Sequence, residues 1–271
     1  VHQLQSSQSP VVVTQPAPAR ANVTQLIINR LHNIVRVKVI GGIAVSACLL
    51  VFALPHIKIA LMADFHSGTN ELQVHQLEDG SKIFLAPNTA VDIRFSDNIR
   101  EVQLLKGNVF FEVQSNPARP FQVNTDTARV TVLGTAFDVD SLDNGTIVSV
   151  AHGRVQVDDK TSRSQPSQQL TAGDQLAISN TKNAERRQIM LDEVARWRER
   201  ELVARNMPIS KLVDAFRPYY NGIILVDDAF AHTQVTGLYR LDNPVATLSA
   251  LAEAHGARAR HISPWVLILS Q

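Results

Sequence analysis

The residues with the strongest potential for chemistry are two pairs of closely spaced carboxylates. Asp138 and Asp140 are separated by one residue, and Asp227 and Asp228 are adjacent. Two carboxylates on one face can act as a general acid and a general base, as in enzymes that cleave polysaccharides. Both pairs lie at the ends of predicted strands and have no third polar group nearby in sequence to tune them. A turn or a helix cap is therefore the favoured interpretation.

Metal binding and nucleophilic catalysis receive less support. The nine histidines are scattered. Pairs such as His66 with His75 or His255 with His261 lack the spacing and the neighbouring carboxylate ligands of a metal site. The single cysteine, Cys48, cannot form a disulfide within the chain. The sequence contains no G-x-S-x-G, H-E-x-x-H, C-x-x-C or phosphate-binding glycine loop. We therefore expect no enzyme activity and neither cofactor nor metal.

Charge is distributed unevenly along the 271 residues. Of the 26 basic and 25 acidic side chains, five basic residues and no acid lie in residues 1–63, so residues 64–271 carry a net charge of −4. A generally basic nucleic-acid binder would carry its excess positive charge on the folded domain that meets the phosphates. The chain is better described as a basic tail, residues 1–38, joined to an acidic body.

An apolar run separates the tail from the body. Residues 39–55 are uncharged, and as a helix they would span roughly 25 Å, which is short but sufficient for a hydrocarbon core of about 30 Å. The helix can extend to residue 62 if Lys58 reaches the interface. Basic residues precede the run closely, so the positive-inside rule predicts a single-pass helix with a cytoplasmic N-terminus and an exported body.

Three other interpretations of the apolar run stay open. A buried helix of a globular core can be apolar over a similar length. The small residues before Cys48 fit the pattern that precedes a lipidated cysteine, although the apolar stretch that follows is unlike the usual polar tether. An acid-free, arginine-bearing N-terminus can also be an organellar transit peptide.

The body begins with a segment of alternating hydrophobicity. Between about residues 71 and 178, apolar and polar residues alternate, as in Val91, Ile93 and Phe95 with Asp92 and Arg94 between them. Glycine, asparagine and proline turns separate these runs. About eight short strands without helices predict an all-β domain over residues 64–180, in a sandwich-like or solenoid-like arrangement.

The remainder of the body changes character. Residues 181–196 are highly charged and predict a linker or a helix. Residues 197–271 predict a small α+β domain of order βαββαββ, with two helices packed on one sheet face. Its predicted elements are a strand at 202–204, a helix from Pro208 to Phe216, strands at 223–226 and 234–239, a helix capped by Asn243-Pro244 and ended by Gly256, and strands at 258–262 and 265–269.

Seven sequence blocks follow one another in order between residues 70 and 178. They are residues 77–81, 100–107, 110–113, 119–123, 132–139, 153–157 and 170–174. The series resembles the FecR family of bacterial transmembrane sigma-factor regulators. Residues 197–271 are similar to the short N-terminal signalling domain of secretins and TonB-dependent receptors. We assign the following block residues to the fold rather than to a ligand site: Asp79, Gly80, Gly107, Arg119, Pro120, Phe121, Gly134, Thr135, Phe137 and Gly153.

The resemblance implies an inner-membrane regulator with a periplasmic body. Its body would bind the periplasmic signalling domain of a TonB-dependent outer-membrane receptor of the iron-siderophore type. The signal would then alter an extracytoplasmic-function sigma factor through stepwise cleavage by periplasmic and intramembrane proteases. Members usually begin with a cytoplasmic sigma-binding domain that carries tryptophans, whereas residues 1–37 contain no tryptophan and no acid. We therefore expect either that the cytoplasmic tail is truncated or that the protein has lost direct sigma control.

The small α+β domain is the expected docking element. Its strands at 234–239 and 265–269 are short and terminal, so an exposed edge there could accept a strand from the partner. The candidate partner-binding residues are Gln234, Thr236, Tyr239, Arg240 and Trp265. The alternative function is a membrane-anchored periplasmic β-rich scaffold or envelope-binding module without sigma control. A polysaccharide-active enzyme that uses Asp138 and Asp140 is a weaker third hypothesis.

Overall fold

The computed structural model describes residues 62–162, 166–263 and 265–271. These residues belong to one compact unit that comprises residues 56–271. The predicted cytoplasmic tail and the predicted membrane segment at 39–55 lie outside the described residues. Within the described ranges, no helix is both long enough and apolar enough to cross a membrane.

The first part of the described chain is a curled β-sheet of thirteen strands, which we call the β-domain. Its strands are β1 (Phe65–His66), β2 (Gln73–Gln76), β3 (Lys82–Leu85), β4 (Ala90–Phe95), β5 (Arg100–Glu112), β6 (Phe121–Asn124), β7 (Ala128–Val132), β8 (Ala136–Leu142), β9 (Gly145–His152), β10 (Arg154–Asp159), β11 (Gln168–Thr171), β12 (Asp174–Ser179) and β13 (Lys182–Gln188). The strand order is β11-β10-β7-β6-β5-β8-β9-β12-β13. Strands β3 and β4 also pair with β5, β2 pairs with β3, and β1 pairs with β4. The predicted all-β character of this region is confirmed.

Strand β5 connects the two halves of this sheet. Its first half pairs with β4 and, in parallel orientation, with β6, whereas its second half pairs with β3 and β8. The change of partner occurs at Gly107, whose φ is +84°. A Cβ atom at Gly107 would lie 2.3 Å from the Thr89 hydroxyl oxygen, so only glycine fits this close approach.

The core of the β-domain lies between the facing parts of the curled sheet. Alternate residues of the strands point inward, as predicted from the period of two. Phe111 stacks on Phe137 with ring centroids 5.1 Å apart and meets Phe121 edge-on at 5.9 Å. All three rings are fully buried. Such aromatic packing contributes stability beyond the area that it buries.

The second part of the described chain, which we call the αβ-domain, contains two small sheets and three helices. Its elements are β14 (Glu201–Pro208), α1 (Ile209–Phe216), β15 (Ile223–Val226), α2 (Asp228–Ala231), β16 (Gln234–Arg240), α3 (Pro244–Ala254), β17 (Arg258–Ser263) and β18 (Val266–Ser270). The order agrees with the predicted βαββαββ, with the single-turn α2 added. The strands form two sheets rather than one: β14 pairs with β16, and β18 lies between β15 and β17.

Local sequence signals explain the ends of α3. The Asn243 side chain accepts a hydrogen bond from the Ala246 N–H at 3.1 Å, and Pro244 occupies the first turn, where its missing N–H costs nothing. Gly256 follows the helix with a φ of +72°, a conformation that glycine adopts readily. The helix buries Leu248, Leu251 and further apolar residues in the core of the αβ-domain.

The prediction of a linker or helix at residues 181–196 is wrong in its first half. Strand β13 occupies Lys182–Gln188 and pairs antiparallel with β12. The alternation of apolar and polar residues did not predict this strand, because an edge strand can carry charged side chains that pair with those of the neighbouring strand. Arg186 contacts Asp174 at 2.6 Å, and Arg187 donates to Gln175 at 2.6 Å. Two short 3₁₀ turns, Leu191–Glu193 and Arg196–Glu199, follow the strand.

Candidate functional site

The block residues of the β-domain lie in turns and in the core. Asp79 accepts hydrogen bonds from the Ser81 N–H at 3.0 Å and from the Arg100 guanidinium at 2.6 Å. Arg100 is almost fully buried and also donates to the Arg119 and Gln114 carbonyls. This buried ion pair ties the β2–β3 turn to β5, so its role is structural.

The remaining block residues have similar positions. Gly80 and Gly153 have positive φ angles, and a Cβ at Gly153 would lie 2.4 Å from a Thr135 methyl carbon. A Cβ at Gly134 would lie 2.7 Å from the Ser115 Cα, so the backbones approach closely there. Pro120 accepts a hydrogen bond from the Arg100 N–H through its carbonyl. Gly134 and Thr135 also line a surface cavity, together with Ser115 and His152.

The two carboxylate pairs have different roles. Asp227 caps α2 by accepting from the Phe230 N–H at 2.8 Å, and its second oxygen accepts from the Gln271 N–H at 2.9 Å. It is therefore a helix cap, as the sequence favours. Asp138 and Asp140 lie on β8, and Asp138 is buried beneath the start of the αβ-domain. This second pair is not a turn or a cap.

The segment that connects the two domains, residues 189–200, is packed rather than extended, and we call it the junction. Trp197 packs against the αβ-domain core and also against a small cluster of the β-domain that contains Phe110. The Trp197 indole N–H donates to the Asp138 carboxylate at 2.9 Å. One side chain thus contacts both domains.

Arg198 and Arg200 add further contacts across the junction. The Arg198 guanidinium carbon lies 4.1 Å from the Phe110 ring centroid and 4.9 Å from that of Phe84, distances typical of cation–π contacts. Arg200 donates to the Asn70 side chain at 2.6 Å, and the Asn70 N–H donates to the Pro218 carbonyl at 3.0 Å. These contacts hold the αβ-domain against the β-domain.

The backbone of the junction is strained at both ends of its second turn. Ala195 and Arg200 have φ angles of +53° and +56°, in the left-handed region that costs roughly 1–2 kcal/mol for a residue with a Cβ. Such conformations persist where surrounding contacts determine them. They aim Trp197 and Arg198 at the β-domain.

Burial changes the protonation of the carboxyl pair. The pKa of Asp138 is raised to about 7, mainly by burial and also by the charge of Asp140, although hydrogen bonds from Trp197 and Asn108 lower it. Burial also raises the pKa of Asp140 to about 7. The pair therefore changes charge near neutral pH.

The αβ-domain presents an uncovered sheet face. In the sheet of β15, β18 and β17, Ile224 and Leu267 are fully buried against the helices. On β15 the alternate residues Ile223 and Leu225 are 54% and 47% exposed. Further exposed residues of the same sheet and its β17–β18 turn are Ile262, Trp265, Arg258 and Arg260. We call this group the outer sheet face.

The structure places the predicted partner-binding residues apart. Gln234, Thr236 and Arg240 are exposed on β16, which in the described residues pairs only with β14, so one edge of β16 is open. The Thr236 hydroxyl accepts from the Asn206 N–H at 2.9 Å. Tyr239 packs partly against the domain core.

Trp265 lies on the other sheet, and the prediction of an exposed strand edge at 265–269 is wrong. Strand β18 is central, with β15 parallel on one side and β17 antiparallel on the other. The edge strands of this sheet are β15 and β17, and the apolar run of β15 at 223–226 was predicted as a buried strand. Its exposed alternate residues were missed because a continuous apolar run does not show whether both faces are covered.

Comparisons with known proteins agree with this architecture. Residues 63–156 match the family model described as FecR protein. Two crystal structures of a candidate anti-sigma factor from Parabacteroides distasonis are 26% identical to the chain, with TM-scores of 0.69 and 0.68. Each similarity covers 76% of this chain and 98% or 97% of the other. No curated protein is significantly similar in sequence.

The FecR match and the structural similarity differ in extent. The match ends within β10, whereas the similarity to the Parabacteroides distasonis protein covers much more of the chain than the β-domain alone. The similarity therefore extends beyond the FecR region.

Proposed function

We propose that the chain regulates a sigma factor and receives its signal through the αβ-domain. The observation that carries the proposal is the similarity to a candidate anti-sigma factor over nearly the whole of that protein. The FecR match of residues 63–156 supports the same class. A regulator of this class acts by binding other proteins.

The finer proposal concerns the route of the signal. The chain relays a signal from a TonB-dependent outer-membrane receptor of the iron-siderophore type to an extracytoplasmic-function sigma factor. The basic residues before the apolar run at 39–55 support an inner-membrane location with the described domains in the periplasm. Periplasmic and intramembrane proteases then transmit the signal by cleaving the chain.

The outer sheet face is the proposed docking surface for the receptor's signalling domain. A soluble domain rarely leaves neighbouring apolar side chains such as Ile223 and Leu225 exposed without a binding function. Strand β15 also has an unpaired edge in the described residues, so a partner strand can add main-chain hydrogen bonds there. Arg258 and Arg260 form no ion pair among the described residues and would favour an acidic partner.

Calorimetric titration of the full chain with the purified signalling domain of the receptor encoded in the same gene neighbourhood tests the docking surface. Leu225→Asp should weaken binding by at least tenfold because it places a charge in an apolar contact. Thr236→Pro, on the open edge of β16, is the matched variant and should bind as the parent does. A loss confined to Thr236→Pro would assign docking to β16, and unchanged binding by both folded variants would contradict docking on these edges.

Co-purification tests sigma-factor regulation separately. The full chain is expressed in membranes with the sigma factor encoded beside it, and the sigma factor should be retained with the detergent-solubilised chain. A reporter driven by that sigma factor should change its output when the chain is deleted. No retention and no change in output would contradict the proposal and favour the envelope scaffold.

A further inference from the structure

The junction contains a buried hydrogen bond between the two domains. Asp138 lies on β8 of the β-domain and is 6% exposed. It accepts the Trp197 indole N–H at 2.9 Å, although the two residues are 59 positions apart. Because Trp197 also packs against the αβ-domain core, this bond fastens one domain to the other.

A second carboxyl group accompanies the first. Asp140 is two residues further along β8, so the pleat places both side chains on one face of the strand. No ion pair among the described residues involves Asp138 or Asp140. Two buried negative charges without a direct cation are unfavourable, so at least one carboxyl group should carry a proton when the domains are docked.

Asn108 on the neighbouring strand β5 provides an independent indication of that proton. It lies opposite Asp140 in the strand register. Its amide donates to Asp138, while its Oδ1 atom is buried and has no hydrogen-bond donor among the described residues. A carboxylate has no donor to offer, whereas a protonated carboxyl has one. A proton on the pair can therefore satisfy this orphaned acceptor.

Other charged and titratable groups face the pair from the elements packed against it. Arg198 of the junction lowers the pKa of Asp138 only slightly, and its guanidinium group is already paired with Glu112 of β5 at 3.5 Å. From the αβ-domain, the buried Tyr219 faces both carboxyl groups, and Arg200 lies near Tyr219. Burial raises the pKa of Tyr219, so its phenol stays neutral and adds no charge to the site.

We propose that Asp138 and Asp140 form a protonation-dependent latch that holds the αβ-domain to the β-domain through Trp197. With a proton on the pair, the junction is closed. When the pair loses its proton, the buried charge is relieved by exposing the carboxylates to water, and the junction opens. The inference concerns the contact between the domains and does not depend on the identity of any partner.

The direction of the pH dependence follows from the raised pKa. The pair titrates near 7 in the closed junction and near the ordinary aspartate value of 3.8 when exposed. Closure is therefore strongest below about pH 4 and weakens up to tenfold per pH unit for each titrating group as the pH rises towards 7. Above that range the open form gains no further advantage.

Tryptophan fluorescence of the full chain in detergent tests the latch. The chain has two tryptophans, so Trp265→Phe leaves Trp197 as the sole reporter of the junction. Between pH 5 and 8.5 its emission should shift to longer wavelength as the indole becomes exposed. Far-UV circular dichroism should stay constant, because the junction opens without unfolding either domain.

Two further variants make the test decisive. Asp140→Asn in the same background keeps the Trp197 acceptor but removes the neighbouring charge and one titrating group, so the midpoint of the shift should move to higher pH. Asp138→Asn keeps an uncharged acceptor for the indole and should remove most of the pH response. Asp97→Asn, in the exposed turn between β4 and β5, is the matched control and should behave as the parent.

Two results would overturn the proposal. One is an emission maximum that stays constant over this pH range in the Trp265→Phe chain. The other is an unchanged pH response in a folded Asp138→Asn/Asp140→Asn double variant, since the titrating group would then lie elsewhere. If the double variant does not fold, the Asp140→Asn variant decides: a curve identical to that of the parent contradicts the latch.

Discussion

The β-domain and the αβ-domain solve the problem of covering a sheet in different ways. The β-domain curls its sheet around one core, and its largest fully buried polar side chain, Arg100, is paired with Asp79. The αβ-domain covers one face of its three-stranded sheet with helices and leaves Ile223 and Leu225 exposed on the other. The difference indicates that the polar block residues within the FecR match hold the fold of the first domain, whereas the second domain leaves an apolar sheet face exposed.

The largest expected effect is a loss of stability when the buried ion pair of the β-domain is broken. Arg100→Ala leaves Asp79 buried and unpaired, so the free energy of unfolding should fall by about 3–5 kcal/mol. Arg94→Ala breaks the more exposed pair with Asp92 and should cost less than about 1 kcal/mol. Chemical denaturation of both variants measures the difference. Equal losses in the free energy of unfolding would show that burial does not determine how much these ion pairs stabilise the domain.

A second comparison tests the two faces of the αβ-domain sheet. Leu267→Ala removes a fully buried side chain and should destabilise the domain by about 2–5 kcal/mol. Leu225→Ser on the outer face should change stability by no more than about 0.5 kcal/mol. Thermal unfolding followed by circular dichroism gives both values. A large loss of stability in Leu225→Ser would contradict this prediction, because the outer sheet face would then be part of the core.

The smallest expected effect concerns acid stability at the edge of the β-domain. Hydrogen bonds from Arg186 hold the pKa of Asp174 below its usual range, and the Thr171 N–H contributes further. The resulting stabilisation is present above the ordinary pKa of 3.8 and is lost as the pH falls through the lower value of the folded state. Asp174→Asn should cost about 1–3 kcal/mol at neutral pH and remove this part of the acid dependence.

Denaturation curves collected between pH 2 and pH 7 check this last prediction. The parent and Asp174→Asn should converge in stability at the acid end, since a protonated aspartate offers the guanidinium little more than an amide does. Curves that stay parallel down to pH 2 would contradict it. Gln175→Ala, which removes the exposed partner of Arg187, serves as the control and should leave the pH dependence unchanged.

Local sequence signals predicted the elements that have a regular apolar pattern or a clear capping residue. The alternation at Val91, Ile93 and Phe95 corresponds to β4, and Asn243-Pro244 begins α3. Strand β13 was missed because its charged residues pair across a sheet edge, an arrangement that has no apolar period. The exposure of β15 was missed because an apolar run carries no information on whether a second layer covers it.

The interdomain contact could not be predicted from local patterns at all. Asp138 and Asp140 were recognised as a pair that shares one face, but their partner Trp197 is distant in sequence. Spacing rules describe neighbours along a helix or strand, whereas this contact depends on how two folded domains meet. The only sequence signal was the isolated acid pair in an otherwise apolar strand.

The length of β5 also affects how the β-domain unfolds and where proteases can cleave it. Because its thirteen residues belong to both halves of the sheet, neither half keeps a complete set of hydrogen bonds if the other opens. The amide protons of β5 should therefore exchange with solvent only when the whole β-domain unfolds. A cut within this strand releases no stable fragment, so cleavage of the native chain is directed to its connecting segments.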